Sequence, residues 1–236
     1  MTPAAVADQV ARAFADLVRT QLDRQERFAC AVPGGSVATV VFPVLAQLRV
    51  PWNRIDVFLA DERFVPPSSP DSNARAVELQ LISRVVGERP RLHAMPVQGD
   101  ADDAARRAAA GLCAVAGTPP VLDLVMLGVG PDGHVASLFP DRDDWTRRPD
   151  WVIAVHDAPK PPPTRLSLGL ATLAAAHAVW FVAFGAEKAP AVAAARDPAS
   201  NLPAAVVARH SRRTRWFLDA AAGGAEFSRQ RASPPG

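Results

Sequence analysis

The stretch Asp123-Leu-Val-Met-Leu-Gly-Val-Gly-Pro-Asp-Gly-His-Val-Ala-Ser-Leu-Phe-Pro140 decides how this chain folds. The largely apolar run from Val121 to Leu127 has the length and β-branched content of a buried strand. It breaks into three glycines, a proline, an aspartate and a histidine within the next seven residues. Open α/β folds hold their ligands in loops of this kind, at the ends of strands inside a sheet. Gly128, Gly130 and Gly133 let the backbone turn sharply and approach a ligand closely. Asp132 and His134 bring an ionisable pair to the same place, and histidine is the usual proton carrier near neutral pH. A lone histidine is more often structural, but one framed by Asp132 and Gly133 after a buried strand points to chemistry.

Working outward, strand-like runs fall at Phe28–Val32, Ile55–Leu59, Leu92–Met95, Val121–Leu127, Trp151–Val155, Val179–Phe184 and Arg215–Leu218. Helix-compatible segments lie between most of them, at Val37–Leu48, Ser72–Val86, Asp100–Val115, Ala186–Arg196 and Pro203–Arg209. Thr2-Pro3 is a good helix start, and Val6, Val10, Phe14, Leu17 and Val18 share one face of a helix reaching about Arg24. This alternation predicts an α/β fold: a doubly wound, mostly parallel sheet with helices on both faces, a Rossmann-like three-layer sandwich. At 236 residues a single domain over 1–222 is expected, and the polar residues 223–236 read as a disordered tail.

Composition narrows the function. The net charge of +2 argues against a nucleic-acid footprint. Of 26 basic residues only Lys160 and Lys188 are lysines, and 23 prolines accompany an absence of tyrosine. Such bias looks genomic, so arginines carry little functional weight and lysines more. Cys30 and Cys113 match no metal or redox spacing and read as thiols in a reducing cytosol. The N-terminus lacks a signal pattern, and Leu168 to Phe184 reads as a buried helix turning into a strand rather than a membrane span. A soluble, cytoplasmic protein is expected. Gly128-x-Gly130-x-x-Gly133 formally satisfies a dinucleotide fingerprint, with Asp157 as a candidate ribose ligand. Pro140 and the charged residues after it leave room for only a short helix, however, and the match lies past the middle of the chain, which argues against a nicotinamide or flavin site.

Three other regions follow strands. Pro33-Gly34-Gly35-Ser36 puts glycine amides and a hydroxyl at a helix start, a ready anion site as well as a plain tight turn. It also nearly matches a nucleophile elbow, with Ala38 replacing the last glycine, so a serine esterase using Ser36 is a competing reading. Asp61-Glu62-Arg63 reads as a charged loop at the end of the 55–59 strand, and Asp71-Ser72-Asn73 caps a helix that could bend back over the same edge. Arg165 follows a rigid proline run. Lys188 sits in a first helical turn, which is unfavourable unless an anion is there too, and so suggests a phosphate ligand.

The order Pro33-Gly-Gly-Ser36, Trp52, Asp61-Glu-Arg63, Asp71-Ser-Asn73, Leu127 to His134, Ser137-Leu-Phe-Pro140, the prolines before Arg165, and Gly185 to Lys188 resembles the 6-phosphogluconolactonase family. Asn201-Leu-Pro203, His210 and Trp216-Phe-Leu-Asp219 resemble its C-terminal blocks, so the similarity spans roughly residues 5 to 222. The related glucosamine-6-phosphate deaminases are also similar, but Asp-Glu-Arg63 and Ser-Leu-Phe-Pro140 favour the lactonase branch. The resemblance implies hydrolysis of 6-phosphogluconolactone in the oxidative pentose phosphate pathway, with no cofactor and no metal. It implies His134 as general base, Asp132 as its tuning partner, and Asp61, a candidate to share the proton transfer, and Arg63 on the sugar-facing side. Asn73 joins the binding residues, and Gly34, Gly35, Ser36, Arg165 and Lys188 would grip the phosphate. The expected partner is a small sugar-phosphate lactone, with no nucleic acid or membrane, on a monomer or weak homo-oligomer. Pro33 and Val37 depart from the family's usual Ser-Gly-Gly-Ser-Thr loop.

Overall fold

Thr2 and Pro3 open the first helix as expected: the Thr2 side chain accepts from the Ala5 amide, and α1 runs over Pro3–Leu22. Its stripe of Val6, Val10, Phe14 and Val18 is buried. The computed structural model describes residues 1–224 except Asp143, Arg148 and Pro198. After α1 come β1 (Phe28–Val32), α2 (Gly35–Leu45), β2 (Ile55–Leu59), β3 (Asp61–Arg63), α3 (Asn73–Gln80), β4 (Arg91–His93), α4 (Ala101–Ala116) and β5 (Leu124–Gly128). The second half holds α5 (Asp144–Arg147), β6 (Val152–Val155), β7 (Arg165–Leu168), α6 (Leu170–Ala175), β8 (Val179–Ala183), α7 (Ala189–Ala195), α8 (Pro203–His210) and β9 (Thr214–Leu218). Residues 220–224 add a helical turn, and 225–236, most of the expected tail, lie outside the described residues.

Six strands form one parallel sheet in the order β4-β2-β1-β5-β8-β9. The apolar runs of β1, β2, β5 and β8 are buried because helices cover the sheet: α1, α2 and α3 pack together, and α6, α7 and α8 form a second group. The doubly wound α/β sandwich expected from the alternation is the fold observed. No helix among the described residues is long and apolar enough to cross a membrane.

The structure adds a second sheet, antiparallel, in the order β3-β7-β6. This corrects two sequence expectations. Asp61–Arg63 is a strand rather than a loop, and the run ending at Val155 belongs to this small sheet, with α4 packed on it, instead of the parallel one. β3 and β7 have only three and four residues, too short for periodicity to declare them, and β7 begins on an arginine. Ala60 joins the sheets: its amide donates to Val32 O at 2.8 Å, and its carbonyl accepts from Leu168 N at 2.9 Å.

Candidate active site

Chain order reverses between β1 and β5, the central neighbours of the parallel sheet. From β1 the chain winds outward to β2 and β4; from β5 it winds the other way to β8 and β9. Such a switch point leaves a crevice above the strand ends. Here it is lined by Gly34–Val37 after β1 and by Gly128–Pro131 and His134 at the end of β5 and in the loop beyond it. Asp61, Arg63, Asn73, Lys160, Arg165 and Lys188 complete the walls. Every binding or catalytic residue expected from the sequence except Asp132 lines this cleft, and Asp132 is bonded directly to His134.

The loop after β5 folds back on itself through Gly130 N to His134 O and Gly133 N to Gly130 O, both 2.9 Å. His134 Nδ1 lies 2.5 Å from Asp132 Oδ1. A Cβ at Gly130 would collide with both His134 Nδ1 and Asp132 Oδ1, so this glycine makes room for the ionisable pair rather than for a ligand. Gly133, at φ +81°, turns the chain, and Leu202 packs over it while Ala204 N at the start of α8 donates to its carbonyl at 3.1 Å. The chain beyond Gly133 forms a turn, not a helix that could receive a pyrophosphate, so the dinucleotide fingerprint is a chance match of spacing.

Lys160, one of the two lysines, is the residue that sequence reasoning passed over. Its Nζ donates to Asp132 Oδ2 at 3.2 Å and lies 3.3 Å from His134 Nδ1. Burial alone would raise the Asp132 carboxyl, but the His134 hydrogen bond and charge, with Lys160, outweigh it and hold the carboxyl at about 2. Asp132 is therefore ionised at neutral pH and accepts a hydrogen bond from Nδ1–H of His134, leaving Nε2 as the acceptor. The opposite tautomer would set two lone pairs against each other at 2.5 Å. Burial pushes the imidazole down, against Asp132 and with the help of Lys160, so the ring stays neutral and basic near pH 7.

The second wall comes from the small sheet. Asp61, 6% exposed, accepts from Ser137 Oγ at 2.7 Å and from Asn73 Nδ2 at 3.1 Å, which ties the histidine loop to β3 and α3. Glu62 points the other way and is 2% exposed. It accepts from the amides of Arg63, Asn73 and Ala74, each at 2.7 Å, and from Ser72 Oγ at 3.1 Å. Burial raises its carboxyl against those four bonds. Glu62 thus pins the first turn of α3 to β3 and fixes Asn73, whose Oδ1 occupies the space a Gly34 side chain would need. Asp61-Glu-Arg63 and Asp71-Ser-Asn73 do meet at one edge, as the sequence suggested, through this carboxylate.

Arg63 and Arg165 are direct cross-strand partners between β3 and β7, an unfavourable pairing of like charges. Arg165 offsets it with Asp61 Oδ2 at 3.9 Å from Nη1, and its Nε and Nη2 donate to the carbonyls of Pro162 and Lys160 at 3.0 and 2.9 Å. Arg63 Nη1 donates to Asp71 O at 2.9 Å. Its Nε is buried with no hydrogen-bond partner among the described residues. On the far side, Gly185 N donates to Asp219 at 3.2 Å, which fixes the turn that carries Lys188 to the start of α7. Burial lowers the Lys188 ammonium, with Glu187 and Asp132 opposing that and Lys160 adding to it. No group of three or more histidine, cysteine, aspartate or glutamate side chains able to hold a metal occurs among the described residues.

The profile of the family described as glucosamine-6-phosphate isomerases/6-phosphogluconolactonase matches residues 1–216. The 6-phosphogluconolactonase of Streptomyces coelicolor is 41% identical over 188 residues, covering 75% of this chain and 72% of that protein. The 6-phosphogluconolactonase of Homo sapiens is 37% identical over 210 residues, covering 83% and 80%. A solved 6-phosphogluconolactonase from Thermotoga maritima superposes with a TM-score of 0.80 at 28% identity, covering 90% of this chain and 94% of that one. With its switch-point cleft, its profile match and relatives of this kind, the chain belongs to the glucosamine-6-phosphate isomerase/6-phosphogluconolactonase family.

Proposed function

We propose that this protein hydrolyses 6-phospho-D-glucono-1,5-lactone to 6-phosphogluconate, the lactone step of the oxidative pentose phosphate pathway, with His134 as general base. The observation that carries the reading is the His134–Asp132 pair: a neutral imidazole lining the cleft, its Nδ1–H donating to a carboxylate oxygen at 2.5 Å and its Nε2 left to accept. A δ-lactone is an activated ester, so one positioned water and one base suffice. Nε2 takes a proton from water as the water oxygen bonds to the lactone carbonyl carbon. The tetrahedral intermediate then collapses, the bond from that carbon to the ring oxygen breaks, and the imidazolium returns its proton to the departing alkoxide. Asp132 keeps the tautomer and stabilises the imidazolium. Asp61, fully engaged with Ser137 and Asn73, positions the histidine loop rather than sharing the proton.

A dianionic phosphate fits the surplus of cations around the cleft. Lys188, the amides and hydroxyl of Gly34–Ser36, and the Arg63 side chain lining the cleft are the groups available to it. Arg165 turns Nε and Nη2 toward backbone carbonyls, which leaves only its Nη1 edge for an anion. Held remotely, the phosphate orients the ring against His134 without taking part in bond changes. No hydrogen bond joins Ser36 to His134 among the described residues, which weakens the serine-esterase alternative. The decisive assay follows lactone hydrolysis above its spontaneous rate, with glucosamine-6-phosphate deamination run alongside. Lactone turnover without deamination supports the proposal, and the reverse result replaces it with the deaminase alternative.

A further inference from the structure

We infer that Arg165 is a positioning residue for the proton transfer: it holds the segment that carries Lys160 and thereby fixes where the Lys160 ammonium meets the Asp132–His134 pair. The inference rests on the reading of His134 as base, and it concerns a part of the site that the reaction itself does not require Arg165 to touch.

Three consecutive prolines, Pro161 to Pro163, come after Lys160, and none has an amide to donate, so the segment cannot tie itself down by its own N–H groups. Its carbonyls need donors from elsewhere, and Arg165 supplies them. Nε donates to Pro162 O at 3.0 Å, and Nη2 donates to Lys160 O at 2.9 Å and Pro161 O at 3.2 Å. The guanidinium is itself fixed, being 4% exposed, 3.9 Å from Asp61 and over the Phe139 ring at 5.5 Å. That ring lies 4.9 Å from the His134 imidazole, centroid to centroid. One rigid fork therefore connects the backbone of Lys160, the support under His134, and the carboxylate of β3.

The ammonium so placed acts in two ways. It shares Asp132 with His134, and it sets a positive charge 3.3 Å from Nδ1. Both favour the neutral imidazole that a base requires. The other charged groups facing the pair are Asp61 from β3 and Lys188 from the turn after β8. Neither depends on the proline segment.

The test is the substrate-free titration of His134 in the full chain, followed by the histidine Cε1 proton resonance and assigned with His134→Asn, together with kcat and KM for the lactone. Arg165→Lys keeps the charge but cannot span three carbonyls. It is expected to move the His134 midpoint upward and to lower kcat by about ten- to a hundredfold. Lys160→Met should move the midpoint in the same direction, and the double variant no further than Lys160→Met alone. A rise in KM alone, with the midpoint unmoved, makes Arg165 a phosphate ligand and overturns the inference. An unmoved midpoint in Lys160→Met overturns it as well. Should Arg165→Lys not fold, Arg165→Gln, which keeps an amide donor for one carbonyl, must give the same shift; failure of both to fold leaves a purely architectural arginine and also overturns it. Because the titration needs no substrate, a shifted midpoint in a protein that hydrolyses no lactone refutes the proposed function alone, whereas normal hydrolysis with an unmoved midpoint refutes this inference alone.

Discussion

The two sheets furnish the cleft in different ways. The parallel sheet presents turns at its strand ends, and its chemistry is local: His134 and Asp132 are two residues apart, held by glycine turns above a wholly apolar strand. The antiparallel sheet presents side chains from within its strands: Asp61 and Arg165 are buried, Asp61 bonds to Ser137 from a distant part of the chain, and Glu62 bonds to Asn73. Polar groups at the crest of the large sheet can therefore be exchanged without disturbing what holds that sheet together. In the small sheet the polar groups of β3 fasten it to α3 and to the histidine loop, so activity and stability are coupled there.

The largest expected effect belongs to the first region. His134→Asn should lower kcat by about 10²–10⁴-fold with an unchanged unfolding midpoint. Near wild-type turnover in a folded variant would remove the base assignment, and a large loss of stability would erase the contrast between the sheets. The converse substitution is Glu62→Gln, which exchanges an acceptor of four hydrogen bonds for an amide with one oxygen. It should cost about 1–3 kcal/mol in urea unfolding and lower activity at the same time. Activity lost with no change in stability would show that the small sheet is not held by its carboxylate.

Smaller effects sharpen the picture of the phosphate end. Lys188→Ala should raise KM for the phosphorylated lactone about tenfold at constant kcat, and leave hydrolysis of unphosphorylated gluconolactone unaltered. Equal losses on both substrates would move Lys188 from binding to chemistry. Ser36→Ala should raise KM only a few-fold, since amides dominate a helix-start anion site, and a fluorophosphonate probe should leave Ser36 unlabelled.

Acidification probes the imidazole. Burial lowers the His134 pKa below its ordinary value of 6.5. The neutral base is thus present at pH 7, and the acid limb of kcat/KM should have its midpoint below pH 6.5. The linkage has the same sign: between the folded and unfolded pKa values the unfolded chain binds more protons, so this group's contribution to stability is full above the unfolded value and declines as pH falls through that window. Lys160→Met should narrow the window by raising the folded value. An acid limb above pH 6.5 in the wild type would contradict a buried, lysine-flanked histidine.

How much of this is legible in the chain differs by element. β1 and β2 have the bounds their largely apolar runs suggest, because a strand buried on both faces needs apolar residues nearly throughout; the exception, Asp56 in β2, is paired with Arg27 and His93. The Gly128–His134 turn is legible for a related reason: glycine at a strand end has few uses, and Asp132 meets His134 by spacing alone. Lys160 is not, although rarity marks it, since nothing local says that a lysine before three prolines reaches a carboxylate 28 residues earlier. Arg165 is recognisable as functional, but its partners are not, because the destinations of five guanidinium donors depend on which carbonyls the fold brings within about 3 Å.

By itself, then, the sequence determined the doubly wound sheet, the switch-point loop and the candidate base, all of which derive from hydrophobic periodicity, glycine conformations and short-range spacing. Only the tertiary structure decided that Asp61-Glu-Arg63 is a strand, that Glu62 fastens it to α3, and that Arg165 faces Arg63 while gripping the segment of Lys160. Those outcomes rest on strand pairing and hydrogen bonds that local spacing does not specify, and a buried polar group finds its partner only after the apolar core has fixed where each backbone runs.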